Sequence, residues 1–207
     1  MSEVVCPMIP FPNIYWWSCV LPVQKVMVDT EEHFEKMSFR NRYMIASDKG
    51  PLTLSIPIKE GRQQRKPMND VLIDNDSNWQ IQHWRSIKSA YNRSPYFQYF
   101  EPELQQIFTT KYEHLIAFSQ DSIQLIMQLL GQKRQLEHVL AYQKEYDANQ
   151  RDIRSHFRSN QYKSVHATYP KYHQVFEDRM DFLPNLSILD LLFAEAKNAV
   201  SFLAIIP

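Results

Sequence analysis

The chain has 207 residues, 44% hydrophobic and 13% aromatic, enough to bury a sizeable core, which excludes a disordered protein. Its 23 Lys and Arg balance 23 Asp and Glu, which argues against a global basic field for nucleic-acid or membrane-surface binding while allowing local basic sites. With only Gly50, Gly61 and Gly131, a glycine-rich phosphate loop of the P-loop or dinucleotide type is excluded.

The opening MSEVVCPMIPFP carries an acid where a signal peptide needs cations, and prolines break its apolar part. Cys6 and Cys19 are too few for a disulfide framework and lack metal-ligand spacing, which fits a reducing compartment. Residues 4–8 read as a short buried strand, IYWWSCVL as a short helix closed by Pro22, and KVMVD (25–29) as a second strand. Residues 39–45 alternate, with Phe39, Asn41, Tyr43 and Ile45 on one face and Arg40, Arg42 and Met44 on the other. The turn SDKGP and a second alternating run at 52–58 predict a hairpin. A polar basic loop, KEGRQQRKPMND, follows at 59–70, and residues 71–74 read as a further edge strand.

The period then changes. Asp76 or Ser77 starts a helix that runs to about Tyr91, and Ser94-Pro95 and Glu101-Pro102 each supply a new helix start. LIAFSQDSIQLIMQLL is an amphipathic helix closed by Gly131. Residues 135–158 are predicted helical but very polar, and residues 159–184 irregular and tyrosine-rich. The last helix begins at Ser187, with Asp190 as the acid of a capping-box variant. No apolar run reaches the eighteen or so residues of a membrane span. The predicted fold class is α/β in a single domain over 1–207. A sheet-rich part with short helices covers 1–75 and a mainly helical part covers 76–207, in a soluble cytoplasmic protein.

Candidate chemistry gathers in three places. HWRSIKSAYNRSPYF (83–97) falls in a stretch without acids between Asp76 and Glu101. At ~100° per residue, Trp79, His83, Trp84, Ile87, Ala90 and Tyr91 share the core-facing arc. Lys88 lies at its edge, while Arg85 and Arg93 point elsewhere and are expected to be solvated, so the cations form no stripe for reading DNA. His83 is either a hydrogen-bonded core histidine or a site histidine at a pocket rim. Lys88 either lays its methylenes on Trp84 or aims its ammonium into a cleft.

The strand residues Arg40 and Arg42, about 7 Å apart on one face, suit a diphosphate, or a phosphate and a carboxylate, unless they are simply solvated on an edge. Asn41 shares the opposite, core-facing side and needs a specific hydrogen-bond partner. Asp29 ends a strand, where ligands of α/β sheets collect, and begins an acidic cluster with Glu31, Glu32 and His33. That cluster suits a metal or acid–base chemistry, unless it is an ordinary acidic loop after a strand; no metal ligand is assigned from it.

PFPNIYWW, KVMVD, SFRNRYMI, LTLSIPI, HWRSIKSAYNRSPYF, KYHQVFEDRM and FLPNLSILDLLF follow one another from about residue 4 to residue 203. In that combination the chain resembles the WbqC-like family of bacterial proteins. The resemblance maps a family Asn-Arg pair onto Asn41 and Arg42, the helix histidine onto His83 with Lys88 and Tyr91 in register, and an aspartate onto Asp190. The chain departs at its start, with Pro7-Met8 and Tyr15-Trp16 where many members have Gln-Pro and a Gly-Tyr turn.

Members often belong to surface-polysaccharide (O-antigen) gene sets, beside enzymes that make modified amino sugars. The resemblance therefore implies a cytoplasmic step on a nucleotide-linked or otherwise phosphorylated sugar, or transfer of a small acyl or aminoacyl group to its amine. In that transferase reading Arg40, Arg42 and Lys88 hold phosphate, with Asn41 and Tyr91 beside them, and His83 or Asp29 is the general base. The alternative is a non-catalytic interaction or assembly module of the same pathway. Its partner or homodimer surface would be Tyr162, Tyr169, Tyr172, Phe176 and the tail FLAIIP. No cofactor is implied.

Overall fold

A computed structural model describes residues 3–61, 63–158 and 168–206. Strands β1 (Glu3–Pro7) and β2 (Lys25–Asp29) pair in parallel, Val4 opposite Val26 and Pro7 opposite Asp29. Between them runs α1 (Ile14–Val20), every residue of it buried. Asn13 starts that helix by accepting the Trp16 N–H at 3.0 Å, which satisfies one of the orphan donors of a helix start. The near-continuous burial of β1 is what a parallel strand covered on both faces requires.

The predicted hairpin is present as β3 (Arg42–Ser47) and β4 (Gly50–Ser55), with Gly50 at φ +112° in the turn. The first strand starts later than alternation predicts. Residues 39–41 form a 3-10 turn, begun by Ser38 Oγ accepting the Arg40 N–H, so Arg40 and Arg42 do not share a strand face. Hydroxyl capping of the backbone competes with strand pairing here, and the turn rolls Arg40 inward. Residues 71–74 contribute isolated bridges, Ile58 with Ile73 and Leu72 with His114.

Helices α2 (Trp79–Tyr91), α3 (Phe97–Thr109) and α4 (Leu115–Leu129) follow. The buried side of α2 is Trp79, His83, Ile87, Ala90 and Tyr91, as the 100° count predicts. Pro102 does not restart a helix: α3 runs through it, with Pro102 on the solvent side, where the ring displaces one backbone bond without disturbing packing. Gly131, at φ +70°, ends α4 after Leu130.

Residues 135–158 depart from the helical expectation. They contain two three-residue strands, β5 (Leu136–His138) and β6 (Gln150–Asp152), which complete a parallel sheet in the order β5-β2-β1-β6. Runs such as LEH and QRD are too short and polar to show alternation. Backbone pairing to β2 and β1, and the buried Val139, Ile153 and Phe157, hold them in place.

The chain closes with α5 (Ile188–Glu195) and α6 (Ala199–Ala204). Their start is stitched to the beginning of the chain. Ile14 N donates to Leu186 O, Ile188 N to Pro12 O, Tyr15 N to Asn185 Oδ1, and Ser187 Oγ to Phe11 O. Phe11 also packs against Tyr43, Phe108 and Phe118, so one continuous core joins the sheet to the helices. No described helix is long and apolar enough to cross a membrane.

Candidate functional site

β1, β2 and β6 end at the same side of the sheet, the side where ligands of open α/β sheets collect. Asp29, at the end of β2, is 0% exposed. Its Oδ1 accepts the backbone N–H groups of Glu31 and Glu32, both at 2.9 Å, and its Oδ2 accepts from Arg154 Nη1. The Arg154 fork also grips Asp152 at the end of β6, Nε to Oδ1 at 3.0 Å and Nη2 to Oδ2 at 2.7 Å. Tyr146 and Tyr142 stack on the guanidinium at 4.7 and 5.6 Å.

Beside this triad Arg40, 1% exposed, clasps Glu32 through Nε at 3.0 Å and Nη2 at 2.6 Å, and donates to the Arg154 carbonyl at 3.1 Å. The remaining Arg40 nitrogen, Nη1, is buried and has no partner among the described residues.

Charges alternate through this network, and the pKa shifts follow. Burial opposes the charge of Arg154, yet the hydrogen bonds and charges of Asp152 and Asp29 outweigh it and raise its pKa. Burial also works against the Asp152 carboxylate, but Arg154 holds its pKa below the usual range. At Glu32 burial wins over Arg40 and the pKa rises.

Glu32, Asp152 and Arg154 form one side of a cleft of about 380 Å³. His33, Arg65, Tyr142, Lys144 and Arg158 line the rest with Phe34, Glu35 and Ser155, and His33 stands edge-on to the Tyr142 ring. Arg158 is paired with Glu35 at 2.7 Å, whereas Arg65 and Lys144 have no ion-pair partner among the described residues. The arrangement can hold an anion on its rim and offers an imidazole for proton transfer. The acidic cluster does not close on itself as a ligand set. Asp29 and Glu32 turn to arginines and Glu31 to Asn69, and no group of three His, Cys, Asp or Glu among the described residues is placed to hold a metal.

The other sequence-predicted residues lie elsewhere. His83, 5% exposed, sits under the hairpin, Nδ1 at 3.0 Å from the Tyr43 hydroxyl and Nε2 at 3.3 Å from the Ser55 carbonyl. That network assigns the neutral ring with the proton on Nε2, and burial pushes the pKa down to about 4. Lys88 pairs with Glu101 of α3 at 2.7 Å, an acid thirteen residues away and beyond the reach of a one-turn count. Asn41 Nδ2 donates to Ile56 O at 2.8 Å, supplying the specific partner that its core-facing position demands. The Tyr91 hydroxyl accepts from Ala46 N at 2.9 Å and hydrogen-bonds Asp190.

Arg42 lines a crevice of about 10 Å³ together with Phe11, Asn13, Asn185 and Ser187, room for about one water. Arg40 and Asp29 therefore reach the sheet-end network, while Arg42, Lys88, Tyr91 and His83 serve other neighbours.

The model of the WbqC-like protein family matches residues 10–167. The chain belongs to the WbqC-like protein family. No curated protein and no solved structure matches it. In this WbqC-like chain the motif pieces PFPN and LPNLS, nearly the whole length apart, are hydrogen-bonded to each other, although LPNLS lies beyond the matched span.

Asp190 occupies the first turn of α5 but does not close a capping box. Its carboxylate accepts from Tyr172 at 2.6 Å and Gln174 at 2.8 Å, while Ser187 Oγ accepts the Leu189 N–H. Tyr172 is thus buried and not a partner surface, and Leu203 and Ile206 of the tail are buried too, whereas Ile205 is 69% exposed and Tyr169 and Phe176 are half-buried; Tyr162 lies outside the described residues. Sequence reasoning missed Arg154, Asp152 and the rim cations Arg65 and Lys144. The available signal was Ile153 and Phe157, two apolar residues four apart in a polar run, which anchor the segment carrying Arg154.

Proposed function

We propose that this WbqC-like protein takes part in bacterial surface-polysaccharide synthesis, binding a phosphorylated or nucleotide-linked amino sugar in the sheet-end cleft. The observation that carries the reading is the cleft's position at the carboxyl ends of the parallel strands, with the unneutralised Arg65 and Lys144 on its rim. Phosphate is held by those two cations, with Arg158 nearby. Asp29, sealed and fully hydrogen-bonded, positions Arg154 and does not meet the substrate.

The reaction in this reading is transfer of a small acyl or aminoacyl group. The sugar amine attacks the carbonyl of an activated ester or thioester, the C–N bond forms as the C–O or C–S bond breaks, and His33 takes the proton of the attacking nitrogen and hands it to the leaving oxygen or sulfur, which departs as alcohol or thiol. His33 replaces His83 and Asp29 as the base because it lines an open cleft, whereas both of those are enclosed.

Thermal-shift and calorimetric titration with a panel of nucleotide-linked amino sugars tests the binding. At least one is expected to raise the melting temperature, with affinity lowered about tenfold or more, over 1.4 kcal/mol, in the Arg65→Ala/Lys144→Ala double variant. If every sugar nucleotide leaves the wild type unshifted at millimolar concentration, the reading is wrong. Once binding is found, His33→Gln should retain it and lose transfer.

A further inference from the structure

A second cleft, of about 640 Å³, lies where α2 meets the β3–β4 hairpin and residues 175–179. It shares no lining residue with the sheet-end cleft. From α2 come Arg85 and Ser89, four residues apart, and Arg93 follows in the turn just past the helix end. At ~100° per residue Arg85 and Ser89 lie about 40° apart and share one side of the helix.

Neither the Arg85 nor the Arg93 side chain makes a hydrogen bond or an ion pair among the described residues, and the Ser89 hydroxyl is likewise uncommitted. Arg179 enters from the facing wall, 3.5 Å from the exposed Asp178. Leu52, Val175 and Phe176 supply an apolar face between these charges. A concavity that collects three guanidinium forks, with only Asp48 and Asp178 against them, favours an anion over water.

Both walls are held by one buried group. Asp190, 3% exposed, has no cation partner among the described residues. It accepts from Gln174 and Tyr172, and Gln174 further clamps Leu183 through both of its amide atoms, 2.9 and 2.8 Å, so the chain entering Val175–Arg179 is fixed. Tyr91 bonds the same carboxylate and accepts from Ala46 N of the hairpin wall. A cleft whose opposing sides are tied to one buried carboxylate is preorganised, which reduces the ordering cost of a ligand.

We propose that this cleft is a second binding site, for a small organic phosphate ester. Its phosphate is held by Arg85, Arg93 and Arg179 with the Ser89 hydroxyl, and its apolar or planar body lies against Leu52, Val175 and Phe176. Asp48 and Asp178 accept from hydroxyl or amine groups of the same molecule.

Isothermal titration with inorganic phosphate, a sugar 1-phosphate and a nucleoside monophosphate tests this on the full chain. The Arg85→Ala/Arg93→Ala variant is compared with Arg65→Ala/Lys144→Ala. All four side chains are exposed, so both variants are expected to fold, and circular dichroism checks that they do. Titrated in the Arg65→Ala/Lys144→Ala background, which removes the sheet-end cations, an organic phosphate is expected to bind more tightly than inorganic phosphate and to be weakened about tenfold or more when Arg85→Ala/Arg93→Ala is added. Failure of all three probes to bind in that background, or binding there that survives the loss of Arg85 and Arg93, overturns the site. The two variant pairs separate failure here from failure of the sheet-end reading.

Discussion

Arg154 does at one point what several surface pairs do not: it separates two carboxylates at a sheet end and bonds to both. Removing one partner of a buried pair leaves an uncompensated charge, so Arg154→Ala is expected to lower stability by about 3–5 kcal/mol in urea unfolding. Arg154→Lys should recover only part of this, because a single ammonium cannot reproduce the fork that holds Asp152 in two places.

His83 makes a second prediction, in pH. Its folded pKa, about 4, lies below the ordinary 6.5, so the unfolded chain takes up the proton first as the solution is acidified. Stability from this group is complete above pH 6.5 and falls between 6.5 and 4, by roughly 3 kcal/mol. Glutamine can replace both hydrogen bonds of His83 without titrating, so His83→Gln should show a shallower loss over that window. Equal slopes in wild type and variant would refute the assignment.

At the scale of elements, legibility followed length and period. α1, β2, α2 and α4 could be read closely because each carries a capping or closing residue, or an apolar pattern, matched to its period. β5 and β6 could not, since three-residue strands owe their existence to neighbours far away in the chain. Arg85 and Arg93 were visible as cations outside the core arc. What was not visible was the facing wall, 175–179, which turns a solvated helix side into a cleft.

The tie that holds this wall also predicts a pH dependence. Burial raises the Asp190 pKa, and the hydrogen bonds from Tyr172, Tyr91 and Gln174 offset this only in part. For a raised acid, the stability contribution is complete below the ordinary 3.8 and is lost as pH rises through the folded pKa. Asp190→Asn should remove that slope: wild-type stability, measured relative to the variant, should decline with rising pH and then level off.

For the molecule as a whole, the sheet-rich and helical parts expected at 1–75 and 76–207 do not carry separate cores. β5 and β6 bring residues 136–152 into the sheet, and α6 packs on α1. Far-ultraviolet dichroism, which reports the helices, and fluorescence from the buried Trp16 and Trp17 should therefore trace one coincident unfolding transition. Two separated transitions would show independent units. The class of fold was readable from the change of period, but the strand order was not, because edge strands from late in the chain carry no signal of their pairing.

That strand order has a consequence for synthesis. β1 leaves the ribosome well before β6, its neighbour on one side. At about 5–20 residues per second, the interval between Pro7 and Asp152 is on the order of 10 s. Throughout that time the apolar strand VVCP has β2 on one edge and no native partner on the other. Over that interval the nascent chain carries an open, adhesive edge, a window in which a chaperone has reason to be present.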